Sequence, residues 1–170
     1  LDVVRKLLNN ISSKGIYDHL GGGISRYTVD EKWIVPHFEK MLYDNILFVR
    51  TVNNYLVNKQ DKKLNDKLIQ TINFINNEFL NDKNLLGSAY DADSEGVEGK
   101  YYVYSYEELK NIKDIEKFFD IKPEGNWEGK IILDEINEPK GKIIEELLKI
   151  RKKRKKPFFD KKNQLDLNCL

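Results

Sequence analysis

The sequence predicts an all-α domain with a small β-hairpin insertion. Three observations carry that expectation. A helical pattern with two apolar faces runs from about Pro36 to Asn58, a second with one apolar stripe from Lys62 to Leu80, and an acidic segment, Asp91 to Gly99, lies between two strand-like runs. A two-faced helix joined by a short loop to a one-faced helix is an αα-hairpin whose first member stands inside the second. Repeated, that unit gives two concentric layers of helices.

In order along the chain, Leu1 to Ile11 sets Val3, Val4, Leu7, Leu8 and Ile11 on one stripe opposite Arg5, Lys6 and Asn9, an amphipathic helix ended by Ser12-Ser13-Lys14-Gly15. Gly21-Gly22-Gly23 breaks a short turn, and Ile24 to Val29 alternates as a strand would. Pro36 suits a helix start, because its missing N–H costs nothing there. On that helix His37, Lys40 and Asp44 share one side with Phe48, Val52 and Tyr55, while Phe38, Leu42, Ile46, Val49 and Leu56 form another. The following helix is apolar only along Leu64, Leu68, Ile72, Ile75 and Phe79. Leu85 to Tyr90 and Lys100 to Ser105 read as strands, Ser105 with Glu108 as a capping box, Phe118-Phe119 as part of a short helix, Ile131 to Leu133 as a short strand, and Lys142 to Lys156 as a last helix.

Composition narrows the class. With 170 residues, 40% hydrophobic and 11% aromatic, the chain can bury a core. A net charge of +1 gives no long-range pull toward nucleic acid or an anionic membrane, although Arg151 to Lys156 is a run of six basic residues, read as the solvated end of a helix. No apolar run approaches a membrane span. Cys169 is the one cysteine, so an internal disulfide is excluded and a reducing, cytoplasmic setting is the expectation. The chain starts at Leu1 in mid-pattern and stops at Leu170 with no stop signal, which reads as a piece whose helix faces are meant for neighbours and favour aggregation.

Two long motifs, GIYDHLGGGISRYTVDEKWIVPHFEKMLYDN from Gly15 and SAYDADSEGVEGKYYVYSYEEL from Ser88, closely resemble a family of uncharacterised thioredoxin-domain-containing proteins that includes a spermatogenesis-associated member in animals. The resemblance implies an amino-terminal thioredoxin-like domain, absent here, followed by an (α/α)6 toroid similar to six-hairpin glycosidases and N-acylglucosamine 2-epimerases. Residues 1–170 would then be a partial toroid domain. The tail departs from the family, with Leu167-Asn168 and no tryptophan.

The Gly15–Asn45 motif mixes glycines, both histidines and many charged groups, a combination that core packing explains poorly and a pocket wall explains well. His37 beside Glu39, Lys40, Tyr43 and Asp44 suits a general acid/base; the alternative is a histidine that tethers a helix start. Asp91, Asp93, Glu95 and Glu98 offer the paired carboxylates of glycoside hydrolysis, or a solvated turn. They open like a calcium loop, but Tyr102 stands where its bidentate glutamate belongs, so no EF-hand and no other cofactor is expected; a different metal site stays open as an alternative. Tyr27, Trp33, Tyr43 and Tyr90 suit stacking on a sugar ring or burial in a core. His19 reads as structural. The expected function is carbohydrate recognition or modification, epimerase-like or glycosidase-like, with His37, Glu39, Asp91 and Asp93 as acid/base groups and Arg26, Tyr27, Trp33, Lys40, Tyr43 and Asp44 positioning a sugar-like substrate. The rival is a non-catalytic interaction domain that serves a thioredoxin-like domain in cis.

Overall fold

Residues 2–139 and 141–164 are described by a computed structural model. Leu1, Leu167, Asn168 and Cys169 lie outside the described residues, and with them the readings made from the two ends of the chain. Helix α1, Asp2–Ser13, forms where the stripe places it, but only part of that stripe is covered: Leu8 is buried, whereas Val3 is 82% exposed.

Helix α2, Leu42–Asn58, and helix α3, Lys62–Phe74, form the expected αα-hairpin. Asp61 caps α3 by accepting from the Leu64 N–H at 3.1 Å. Phe48, Val52 and Tyr55 of α2 pack with Leu64 and Leu68 of α3 and with Leu8 and Tyr17. The second helix runs on through a π-helical turn, Ile75–Phe79.

The expected helix start at Pro36 is not where α2 begins. Residues 36–41 are non-helical, Phe38 has φ of 60°, and strand β1, Lys40–Met41, pairs antiparallel with strand β2, Ala89–Tyr90. The cause is long-range: the Phe38 ring is buried with Val103 and Ile132, so packing overrides the local proline signal. His37, Lys40 and Asp44 therefore do not share a helical face.

The all-α expectation fails as well; the chain is a mixed helix-and-sheet fold. Beyond α3, short strands and single bridges join the helices. Strands β1, β2 and β5, Phe159–Asp160, make a three-stranded antiparallel sheet, and β3, Asp93–Ser94, with β4, Val97–Glu98, makes a hairpin inside the acidic segment, whereas the expected hairpin had that segment between strands at Leu85–Tyr90 and Lys100–Ser105. The turn between β3 and β4 carries positive φ at Glu95 and Gly96, the geometry that matches strand twist in two-residue hairpins. Single bridges join Tyr17 to Ile24, Thr28 to Pro36, Tyr104 to Ile131 and Phe119 to Glu135, where longer strands at Ile24–Val29, Lys100–Ser105 and Ile131–Leu133 were expected. The runs here are too short and too broken by Gly, Pro and Asn to close helical hydrogen bonds over several turns.

Helix α4, Tyr106–Leu109, opens on the full Ser105/Glu108 capping box. Its Leu109 joins Tyr104, Phe119, Ile131 and Leu147 in a core of its own. A 3₁₀ turn, Ile115–Lys117, stands just before Phe118-Phe119. The last helix, α5, covers Gly141–Arg151 and buries Ile143, Leu147 and Arg151, one residue per turn along one face. It ends inside the basic run. Arg154 then folds back, donating to the carbonyls of Tyr101 and Val103 and to Glu108 Oε1, with its guanidinium 4.6 Å from the centre of the Tyr104 ring.

Candidate functional site

The triple glycine builds the site. Gly22 and Gly23 adopt φ of 83° and 81°, and a Cβ on Gly23 would lie 2.5 Å from the Phe74 ring, so the turn needs glycine both for its backbone and for its approach to α3. The Asp18 carboxylate closes this turn, accepting from the Leu20 and Gly21 N–H groups at 3.1 and 3.0 Å. The same carboxylate receives Lys40 Nζ at 2.8 Å and Arg151 Nη1 at 2.7 and 2.8 Å. Lys40 also donates to the Gly22 carbonyl at 2.8 Å. Side-chain exposure is 6% for Asp18, 2% for Lys40 and 5% for Arg151.

One buried carboxylate thus lies between two buried cations drawn from opposite ends of the sequence. Burial alone would raise the Asp18 carboxyl, but Arg151 and Lys40 outweigh it and hold the group far below the usual carboxylate range. Burial pulls the Lys40 ammonium below its ordinary value, against Asp18. Ring faces lie near both cations: Lys40 Nζ is 4.3 Å from the Phe74 centroid and 5.1 Å from that of Tyr102, and the Arg151 guanidinium sits 5.5 and 5.4 Å from Tyr101 and Tyr102. Arg151 Nε is buried and has no hydrogen-bond acceptor among the described residues.

These three side chains line a cleft of about 170 Å³ whose walls include Tyr90, Tyr101, Tyr102 and Phe74, with Glu78, Lys152 and Lys156 also lining it. Lys156 donates to Glu78 at 2.7 Å, and the Tyr90 hydroxyl donates to the same carboxylate at 3.1 Å. A smaller hollow of about 30 Å³ lies between the same charged trio and Tyr17, His19 and Phe38.

Of the residues expected from sequence, Lys40 lines the larger cleft; His37, Glu39, Asp91 and Asp93 do not, nor do Arg26, Tyr27, Trp33, Tyr43 and Asp44. Several of these gather elsewhere. Tyr27 stacks on His37 with ring centroids 4.7 Å apart, Arg26 reaches Glu39 at 3.5 Å and is drawn to the Tyr43 phenol, and Asp44 lies near Arg26 and Glu39. Burial raises the Asp44 carboxyl to about 6, with Arg26 opposing and Glu39 reinforcing. His37 Nδ1 and Asp44 Oδ2 are buried with no hydrogen-bond partner among the described residues. Trp33 is half-buried in a positive-φ turn, and its carbonyl accepts from the Ile16 N–H at 3.3 Å. Asp91 is exposed and accepts from the Ala92 N–H at 2.8 Å, Asp93 pairs with Glu98 across the hairpin, and Glu95 pairs with Lys100 at 2.8 Å. Among the described residues no group of three or more His, Cys, Asp or Glu stands ready to hold a metal ion.

Sequence reasoning passed over Asp18, Glu78, Tyr101, Tyr102 and Arg151. For Arg151 a signal was there: it continues the buried Ile143, Leu147 stripe of α5, four residues on. His19, read as structural, points to a second buried cluster. Glu135 receives Lys67 and Lys63 at 2.7 Å each, and His19 Nδ1 lies 3.0 Å from it. His19 Nε2 is 3.1 Å from the Lys14 carbonyl and Nδ1 is 3.2 Å from Lys67 Nζ, and burial pulls the imidazole below its ordinary value.

No family model matches the chain. In a match covering 73% of its length it is 30% identical to an uncharacterized protein of Caenorhabditis elegans, and in matches covering 62% it is 32% identical to spermatogenesis-associated protein 20 of Homo sapiens and 31% identical to that of Mus musculus. The chain spans 20% of the first protein's length and 14% of each of the other two. These similarities support the relationship to the spermatogenesis-associated family read from the two motifs; none of the names states an activity.

Proposed function

We propose that the Asp18–Lys40–Arg151 cleft binds a carbohydrate. The observation that carries this reading is a cleft with tyrosine rings in its walls and a hydrogen-bonding charged trio lining it. A sugar presents flat C–H faces, which suit aromatic rings, and edge hydroxyls, which suit charged donors and acceptors. The cleft is smaller than the roughly 300–1,000 Å³ usual for drug-sized ligands, which fits one sugar ring.

Proton transfer is a weaker match to this cleft than binding. Asp18 is held ionised by two cations and Glu78 is engaged by Tyr90 and Lys156, so neither is poised to give and take a proton near neutral pH. Acid/base chemistry would fall to His37 with Glu39 in the neighbouring cluster, and a catalytic role for Asp91 and Asp93 would need a ligand that reaches the hairpin. A cytoplasmic location fits the single cysteine and the lack, among the described residues, of any helix long and apolar enough to cross a membrane. The interaction-domain reading draws on exposed apolar side chains, notably Val3, Val57 and Phe158.

The test is calorimetric titration of the intact protein with glucose, N-acetylglucosamine, mannose and galactose. Tyr101→Ala at the cleft wall should weaken the bound sugar about tenfold, in line with the roughly 0.5–1.5 kcal/mol of an aromatic contact, and Tyr27→Ala should leave it unchanged. Loss of binding in Tyr27→Ala or His37→Ala with Tyr101→Ala unaffected would move the site to the outer cluster.

A further inference from the structure

We infer that the cleft selects sugars that carry an anionic group, a carboxylate or a phosphate; this rests on the carbohydrate reading above and narrows it. The charges lining the cleft are unbalanced. Four cations, Lys40, Arg151, Lys152 and Lys156, face two carboxylates, Asp18 and Glu78. Lys156 and Glu78 neutralise each other at 2.7 Å. Lys40 and Arg151 share Asp18 alone, which leaves one positive charge in surroundings where both cations are nearly inaccessible to water. Lys152 is exposed and, among the described residues, forms no ion pair.

Buried charge without a partner is costly. The ring faces of Phe74, Tyr101 and Tyr102 soften the surplus, but a cation over a ring recovers only about 0.5–2 kcal/mol, less than a close anion supplies in a partly desolvated site. Arg151 adds a second sign. Both terminal contacts of its Nη1 go to Asp18, while Nε has no acceptor although the side chain lines the cleft. Buried donors normally have acceptors, and a carboxylate or phosphate oxygen supplies one together with the missing negative charge. Guanidinium groups favour such oxygens over hydroxyls because the bond is charge-assisted.

The second buried cluster shows what happens when the imbalance is closed from within. There too one carboxylate, Glu135, faces two lysines, but the adjoining cavity is rimmed by Glu138 as well as by Asp66, which Lys62 already pairs at 3.1 Å, so Glu138 provides the extra negative charge from within the protein. No described acid does this at the cleft.

The experiment compares glucose, glucuronate and glucose 6-phosphate by calorimetry on the intact protein at low salt, with inorganic phosphate as a further arm. The expected result is about tenfold tighter binding of at least one acidic sugar than of glucose, a preference that shrinks as salt is raised. Lys152→Gln should cut the acid-to-neutral ratio severalfold, whereas Lys149→Gln, exposed on the last turn of α5 and not lining the cleft, should not change it. Glucose bound as tightly as both acidic sugars would overturn this inference and leave the carbohydrate reading standing. Inorganic phosphate bound as tightly as glucose 6-phosphate, with glucose and glucuronate unbound, would overturn the carbohydrate reading instead.

Discussion

Asp18 and His19 are consecutive residues, yet they serve two buried charge clusters of different character. On one side Asp18 lies between Lys40 and Arg151; on the other His19 lies against Glu135 with Lys63 and Lys67. Each cluster sets one carboxylate against two cations distant from it in sequence, so each ties segments together: Asp18 joins Lys40 to Arg151, and Glu135 reaches Lys63 and Lys67 on α3. They differ in what surrounds them. The cavity beside Glu135, about 220 Å³, has acidic Asp66 and Glu138 in its lining, whereas the cleft beside Asp18 has Lys152 and Lys156 and a wall of tyrosines. An arrangement that is balanced in one setting is left positive in the other, so the neighbouring side chains, more than the buried trio, separate a structural tie from a ligand site.

Removing each central carboxylate probes this contrast most strongly. Glu135→Gln strands Lys67 in the core, while the more exposed Lys63 can turn to water, and should cost about 3 kcal/mol, seen as a lower midpoint in urea denaturation, with sugar binding intact in the folded fraction. Asp18→Asn should cost as much, about 3 kcal/mol, but sulfate should recover part of the loss in thermal unfolding because an anion can occupy the open cleft. The same salt should do nothing for Glu135→Gln beyond its effect on wild type. Equal rescue of both variants would erase the distinction.

The smallest effect comes from a carboxylate that lacks buried cations. Asp18 and Glu135 are held below the usual carboxylate range, so the stability they bring is complete above about pH 4 and is lost as pH falls below it. Asp44, raised to about 6 mainly by burial, has the opposite sign: its folded form keeps a proton that the unfolded chain has already released, so it lowers stability as pH climbs from about 4 through 6. Asp44 is half-buried, which limits the effect. Asp44→Asn should therefore stabilise the protein by about 1 kcal/mol at pH 8 and by nothing measurable at pH 4. Urea midpoints at the two pH values decide it.

Much of the helical hairpin was legible in the sequence, because its signals are local. The stripe of α3, the polar break before it, the Ser105 capping box and the tight turn at Gly21–Gly23 all depend on residues within a few positions of one another. Helix boundaries that answer to distant partners were not legible. Pro36 looked like a helix start, but Phe38 is fixed by Val103 and Ile132, more than sixty residues away. For the same reason an all-α expectation missed the sheet, whose strands of two residues give almost no periodicity to read. Within the candidate site, Lys40 stood out because it belongs to a dense polar motif. Arg151 was hidden by its company: in a run of six basic residues nothing but its phase with Ile143 and Leu147 marks it as the one turned inward. Asp18 gains its meaning only when α5 arrives from 133 residues away.

The Arg154 clasp has a bearing on how the cleft would work. By fastening the Tyr101 and Val103 carbonyls and Glu108 to the chain just past α5, it links the tyrosine wall to the helix end that carries Arg151. The wall cannot swing aside without dragging that helix, so the opening is set during folding. A ligand then meets rings already in place, and little motional freedom remains to be surrendered at the moment of capture.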